Sequence, residues 1–369
     1  MPLFARASVE YSAAMGLGLK PWIGRASYRL NCLAAKVFEQ RRYPLVITYH
    51  RIGRREQLWP DLIEIAEANL DQFERQMEWL VRYTEPVSMA EYREIVSGTR
   101  PSPSRAVLVT FDDGYREDLL RTVPVLERTG IRPTVFLPTA FVGTDVRFWW
   151  DRIGTCVQTA VLPRLRLAYP ERVDLPLQTP AERDVAMRRL IELAKTLSRD
   201  GRDEMLVALE TSLELPSTAT LDRRRVLDWD EVRELRRVFD YGAHTHTHAR
   251  LSTLAADELR DELGRCKQIV ERELGEPCRS IAIPYGGESD YTDEAVRVAG
   301  EVGFELVFSM HDSLRPPKPF NGALLVDRVT LDPRLDVPGL AAKLTWPQLF
   351  VPDWTGRARR GLGRLWPGL

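Results

Sequence analysis

From Tyr43 onward, short β-branched runs alternate with segments of helical apolar spacing. That alternation confines the chain to a mainly parallel α/β sheet, either open or closed into a barrel. LVITYH (45–50), AVLVTF (106–111), PTVFLP (133–138), VFDYGAH (238–244), SIAIPY (280–285) and ELVFSM (305–310) read as strands. LDQFERQMEWLVRY (70–83), REDLLRTVPVLERTG (116–130) and ADELRDELGRCKQIVEREL (256–274) read as helices. Gly130 and Gly275 sit where helices should stop, and Ser252 and Thr253 are candidate caps near a helix start. Residues 43–161 and 227–345 are thus expected to be two parts of one sheet domain. Between them, 162–226 is charged, helix-patterned and bracketed by Pro163, Pro170, Pro176, Pro180 and Pro216. This stretch predicts a helical insertion that could cap one mouth of the sheet.

Composition narrows the function classes. A hydrophobic fraction of 44% excludes wholesale disorder. Lys+Arg at 52 against Asp+Glu at 53 argues against a dedicated nucleic-acid binder, which is normally basic as a whole. Cys32, Cys156, Cys266 and Cys278 form no CxxC pair, so reduced thiols in a cytoplasmic protein are expected, not a disulfide framework or a cysteine zinc site. No apolar run reaches the ~18 residues of a membrane-spanning helix. Ser12–Leu19, the best leader candidate, is short, contains Gly16 and Gly18 and follows Glu10, and is read as no signal.

Both ends are basic. Up to Arg42 the chain carries Arg6, Lys20, Arg25, Arg29, Lys36, Arg41 and Arg42 against Glu10 and Glu39, with Trp22, Ile23, Tyr28, Leu30 and Leu33 interleaved. The tail 346–369 carries Trp354, Arg357, Arg359, Arg360, Arg364 and Trp366. Residues 1–42 are expected to be a basic amphipathic helical segment, and either end could lie peripherally on an anionic membrane. The plainer alternative is a helix packed on the domain and a frayed tail. Oligomeric state is not legible.

The informative polar residues share one position. Asp112 and Asp113 of TFDDGY follow a strand, His50 ends another, His244 ends a third with His246 and His248 just beyond, and Pro284-Tyr285-Gly286 ends a fourth. All lie at C-terminal strand ends, where parallel α/β sheets and barrels assemble their active sites. Adjacent carboxylates are costly unless a positive charge neutralises them. HTHTH offers the ligands for a cation. On a turn, His244 and His248 share one side, whereas on an extended strand all three histidines would share a face. A polar helix starting after Leu251 favours the turn and leaves His246 out. One carboxylate and two imidazoles suit a divalent metal, Zn²⁺ first and Co²⁺ or Ni²⁺ as alternatives.

Taken together, these residues resemble the polysaccharide deacetylases of the NodB-homology type, carbohydrate esterase family 4. TFDDGY matches that family's first motif, and GAHTHTHARLSTL matches its His-(Ser/Thr)-x-x-His motif through His244, Thr245 and His248. The resemblance spans roughly 43–340, interrupted by the insertion, and implies a distorted (β/α)7-type barrel. It implies Asp113, His244 and His248 as metal ligands, Asp112 as general base and the Tyr285 N–H as an oxyanion donor. The third motif's Pro-Tyr is present as Pro284-Tyr285, but its arginine is missing, and Arg328 in LLVDRVTL is the candidate substitute. His311 in MHDSLRPP is a poor match to the family's last motif. VITYHRIG instead resembles the permuted, exopolysaccharide-type members, which makes His50 the general acid.

The implied activity is metal-dependent removal of N-acetyl groups from a sugar or polysaccharide. Tyr115, Pro284, Trp149 and Arg328 are the candidate substrate-binding residues, although Phe148, Trp149 and Trp150, three aromatics before a helix, are more often core. A non-catalytic glycan-binding relative and a metal-dependent O-acetyl esterase are the alternatives.

Overall fold

The computed structural model describes residues 43–53, 67–213, 226–313, 315–331 and 336–345. The basic ends 1–42 and 346–369 lie outside the described residues, as does the last part of the expected insertion. The strands are β1 (Leu45–Tyr49), β2 (Arg51–Gly53), β3 (Glu67–Asn69), β4 (Glu85–Val87), β5 (Ala106–Phe111), β6 (Thr134–Leu137), β7 (Arg164–Leu167) and β8 (Val173–Pro176). They continue as β9 (Asp240–Ala243), β10 (Ser280–Ala282), β11 (Leu306–Phe308), β12 (Lys318–Phe320), β13 (Ala323–Val326) and β14 (Val329–Thr330). The α-helices are α1 (Leu70–Tyr83), α2 (Met89–Val96), α3 (Arg116–Thr129), α4 (Trp149–Thr159), α5 (Pro180–Thr196), α6 (Arg199–Ser212), α7 (Trp229–Glu234), α8 (Ala256–Leu274), α9 (Asp293–Val302) and α10 (Val337–Thr345).

The main sheet runs β12-β13-β11-β10-β9-β6-β5-β1-β14, with β4 beside the first half of β5. Every pairing in it is parallel except β12 with β13 at the edge. The sheet curls into a barrel because alternate residues of its strands have an interior to fill. Val46, Leu108, Phe136, Ala282, Phe308 and Val326 meet inside, and Met89, Tyr92 and Ile95 of α2 join them. Residues of opposite parity, such as Ile47, Val109, Val135 and Val307, face the helices instead. On β9 the inward position is Gly242, where a Cβ would lie 2.6 Å from the Phe136 ring. Only glycine fits that layer.

Helix stops fall where the sequence places them, with Gly130 and Gly275 left-handed after α3 and α8. The start of α8 does not. Leu251–Thr253 forms its own 3-10 turn, and α8 begins after Ala255, whose N–H is capped by Glu258. The insertion is also less helical than expected: it opens on the antiparallel hairpin β7–β8 before α5 and α6. Its apolar face, including Leu165, Met187, Leu190, Met205 and Leu209, is continuous with the core through Ile153 and Val157 of α4. No described helix is long and apolar enough to cross a membrane.

Candidate metal centre and active site

Strand ends build the site. His50 follows β1, Asp112 and Asp113 follow β5, His244 follows β9, and Pro284 and Tyr285 stand just beyond β10. Asp113, His244 and His248 each offer one ligand atom, and these atoms lie within 4.8 Å of one another. Asp113 Oδ1 is 3.5 Å from His244 Nε2 and 3.2 Å from His248 Nε2. His244 Nδ1 sits 2.8 Å from the Ala282 carbonyl, so Nδ1 carries the proton and Nε2 presents its lone pair. The loop takes the turn geometry, and His246 bonds away to the Thr139 hydroxyl at 2.8 Å.

Burial alone would raise the Asp113 carboxyl, yet the two imidazoles hold it well below the usual carboxylate range. Burial pushes the His248 imidazole down, toward the neutral form that ligates metals. Asp113 Oδ1 is buried without a hydrogen-bond donor of its own. An orphaned carboxylate oxygen is costly, and a cation at this point satisfies it. One oxygen and two nitrogens with further positions open match the donor set of a catalytic Zn²⁺ site, so the residues fit the ion.

The backbone is held in unusual conformations to achieve this. Asp113 (φ 69°), Thr245 (φ 62°), His248 (φ 56°) and Tyr285 (φ 62°) all occupy the left-handed region. Each such residue costs on the order of 1 kcal/mol or more, a cost that persists where surrounding structure enforces it. Gly114 completes the turn at φ 70°, where a Cβ would meet Leu137 at 2.6 Å.

Asp112 faces the same mouth. Arg328 grips it with Nη1 and Nη2, each 2.7 Å from one carboxylate oxygen, and His50 Nε2 lies 3.7 Å from Oδ2. Burial works to raise this carboxyl, and Arg328, His244 and His50 together hold it below its ordinary value. Arg328 is 0% exposed, which corrects its expected place among substrate-binding residues: it pairs with Asp112 from beneath. Tyr115 is corrected likewise. Its ring is 2% exposed, and its hydroxyl donates to Asp151 while accepting from the Trp150 indole. Pro284, Phe148 and Trp150 are buried too. Trp149 does reach the mouth, donating its indole N–H to the Tyr285 hydroxyl at 3.1 Å.

Sequence reasoning missed the supports. Glu262 of α8 accepts from the Thr247 N–H and hydroxyl, pinning the histidine loop. Arg51 binds Asp118 at 2.6 Å, lies 3.6 Å from Asp151 and stacks over Tyr115 at 4.0 Å. Arg51 adjoins His50, but nothing in its local pattern separates it from a surface arginine. Glu262 reads as one more acid on a helix.

Comparison with known proteins bears on the fold and on part of the chain. Residues 195–307 match the family model described as polysaccharide deacetylase. A stretch of 112 residues is 34% identical to poly-beta-1,6-N-acetyl-D-glucosamine N-deacetylase of Escherichia coli strain K12. That stretch is 30% of this chain and only 14% of the relative. Among solved structures, the Streptococcus pyogenes deacetylase PplD in complex with acetate superposes at TM-score 0.52 with 15% identity, covering 82% of this chain and 98% of that one. IcaB from Ammonifex degensii gives TM-score 0.52 with 19% identity, covering 83% and 98%. At such identities these structures speak for the barrel fold alone, and the family model for residues 195–307. Residues 195–307 thus carry a polysaccharide deacetylase match, the same family type that the sequence motifs resemble.

Proposed function

We propose that this chain hydrolyses the N-acetyl groups of a glycan with a divalent metal held by Asp113, His244 and His248. The observation that carries the reading is the convergence of those three side chains beside an ionised Asp112 gripped by Arg328. When bound, Zn²⁺ or a similar ion supplies a Lewis acid that polarises the acetyl carbonyl and lowers the pKa of water toward ~7.

The side chains do the rest. Asp112 stays ionised near neutral pH because Arg328 is beside it. The guanidinium occupies one acceptor direction on each oxygen, which leaves others to take a proton from the attacking water. As the new C–O bond forms, the carbonyl oxygen becomes anionic. The Tyr285 N–H, which has no protein acceptor among the described residues, can donate to it. His50, 3.7 Å from Asp112, delivers a proton to the amine as the C–N bond breaks. The products are acetate and a free amino sugar.

Acetate release from N-acetylglucosamine oligomers, with and without chelator, tests this. Chelator-sensitive release is expected. Release only from O-acetylated sugars would make the chain an esterase, and glycan binding without release would make it a non-catalytic relative.

A further inference from the structure

The insertion reaches the mouth of the site, and it arrives with positive charge. Arg199 and Arg202 stand on the first turn of α6. Arg199 Nη1 approaches the Thr247 hydroxyl at 3.4 Å, inside the histidine loop itself. The Arg202 guanidinium lies 5.1 Å from the centre of the Trp149 ring, and Trp149 in turn donates to Tyr285. From the other side, Arg250 lies 5.4 Å from the centre of the Tyr285 ring. Burial raises the Tyr285 phenol, while the Trp149 bond, Arg202 and Arg250 oppose that rise, so both guanidinium groups are near enough to act on it.

This wall is built rather than incidental. The first turn of α6 is closed by Ser198, whose hydroxyl accepts from the Gly201 N–H at 3.2 Å. A Cβ on Gly201 would lie 2.9 Å from the Tyr169 hydroxyl, so the turn packs tightly against the insertion's own hairpin connection. Three of the nearby acids are committed elsewhere: Asp112 to Arg328, Asp290 to Arg250 at 3.1 Å, and Glu262 to Thr247. Arg202 has no carboxylate partner among the described residues. A half-buried arginine stacked on tryptophan, without a counterion and beside the reacting position, is placed to receive an anion.

Resting on the deacetylase reading, we infer that the substrate is an acidic N-acetylated glycan, whose phosphate or carboxylate group is read by Arg202. The test compares a neutral N-acetylglucosamine oligosaccharide with two derivatives of it, one bearing a phosphate monoester and one a uronic carboxylate. Acetate release is measured for the wild type, Arg202→Gln and Arg202→Lys. Because a charge-assisted hydrogen bond is among the stronger polar contacts, kcat/KM for at least one acidic substrate is expected to exceed that for the neutral one by about tenfold or more. Arg202→Gln should abolish the preference while sparing turnover of the neutral sugar. Arg202→Lys should keep part of it, and 0.5 M NaCl, roughly, should weaken it. Preference for phosphate alone, carboxylate alone or both identifies the anion.

The same three saccharides are titrated calorimetrically in chelator, so the charge preference is read without turnover. An acidic preference in binding with no acetate released from any of them would sink the deacetylase reading and leave the anion site standing. Equal or better use of the neutral sugar, with equal binding, would overturn the anion site alone. So would an undiminished preference in a folded Arg202→Gln variant.

Discussion

Arg328 and Asp112, which lie 216 positions apart in the chain, form a two-pronged ion pair at 2.7 Å and 2.7 Å in the barrel's upper interior. Arg328 Nε also donates to the Ser309 carbonyl at 3.1 Å, and its Nη1 to the Thr48 hydroxyl at 3.2 Å. The arginine therefore joins three strand ends around the proposed base. Both partners are buried, so removing one leaves the other as an uncompensated charge.

Arg328→Met is accordingly expected to lose roughly 3–5 kcal/mol of stability at neutral pH, measured by urea unfolding. The pH dependence has a definite sign. In the wild type the Asp112 carboxyl is depressed in the fold, so its stabilising contribution is full above the unfolded value of ~3.9 and fades as pH falls through the folded one. In Arg328→Met, burial dominates and raises that carboxyl, so protonation favours the fold. The variant's deficit should shrink as pH drops from 7 toward ~4. A deficit constant across that range would show that Asp112 is not the group left exposed to the change. Activity should collapse in this variant, and Arg328→Lys, which keeps charge without the fork, should recover only part of it.

Metal content separates ligands from base. Asp113→Ala, His244→Ala and His248→Ala should each purify with much less metal and little activity, as measured by elemental analysis beside acetate release. Asp112→Asn should keep its metal and lose turnover, because it preserves shape while removing the proton acceptor. Full activity in Asp112→Asn would dismiss it as the base.

Much of this centre is legible in the sequence because strand ends concentrate it. TFDDGY and HTHTH announce themselves by rare local chemistry at C-terminal strand ends, and the expected helix soon after the histidines favours the turn. Arg328 is harder, since its partner is distant in the chain and only the pairing of β14 with β1, beside β5, brings the two together. Tyr115 misleads for the opposite reason: adjacency to Asp113 suggests the mouth, while its ring turns inward to Asp151. Hairpin β7–β8 was hidden by the charged, proline-bracketed composition, whose buried alternation is confined to Leu165 and Leu167.

The barrel's interior makes its own prediction. Gly242→Ala would drive a methyl into the Phe136 ring at 2.6 Å and the Ser280 hydroxyl at 2.8 Å, with no open side to relax toward. Overpacking of this kind costs typically 1–3 kcal/mol, roughly. Because β9 leads directly to His244, thermal unfolding should shift down and metal affinity should fall together. An unchanged melting temperature would mean the strand can yield without strain.

Glu262 supports the centre without touching its reacting atoms. It is 7% exposed, sits on α8, and receives both the Thr247 N–H and its hydroxyl, one residue before the proposed ligand His248. The histidine loop holds Thr245 and His248 in left-handed conformations, so it needs an anchor to stay there. Glu262→Ala removes that anchor and leaves the Thr247 N–H without its acceptor. Metal affinity, measured by competition with a chromophoric chelator, should weaken about 10–100-fold, the range usual for outer supports of metal ligands. Glu262→Gln keeps one carbonyl acceptor and should fall between the two. Saturating metal should then restore most of the turnover, because the base, the acid and the oxyanion donor all lie on other elements. Failure of excess metal to rescue would place Glu262 in the chemistry itself rather than in holding the loop.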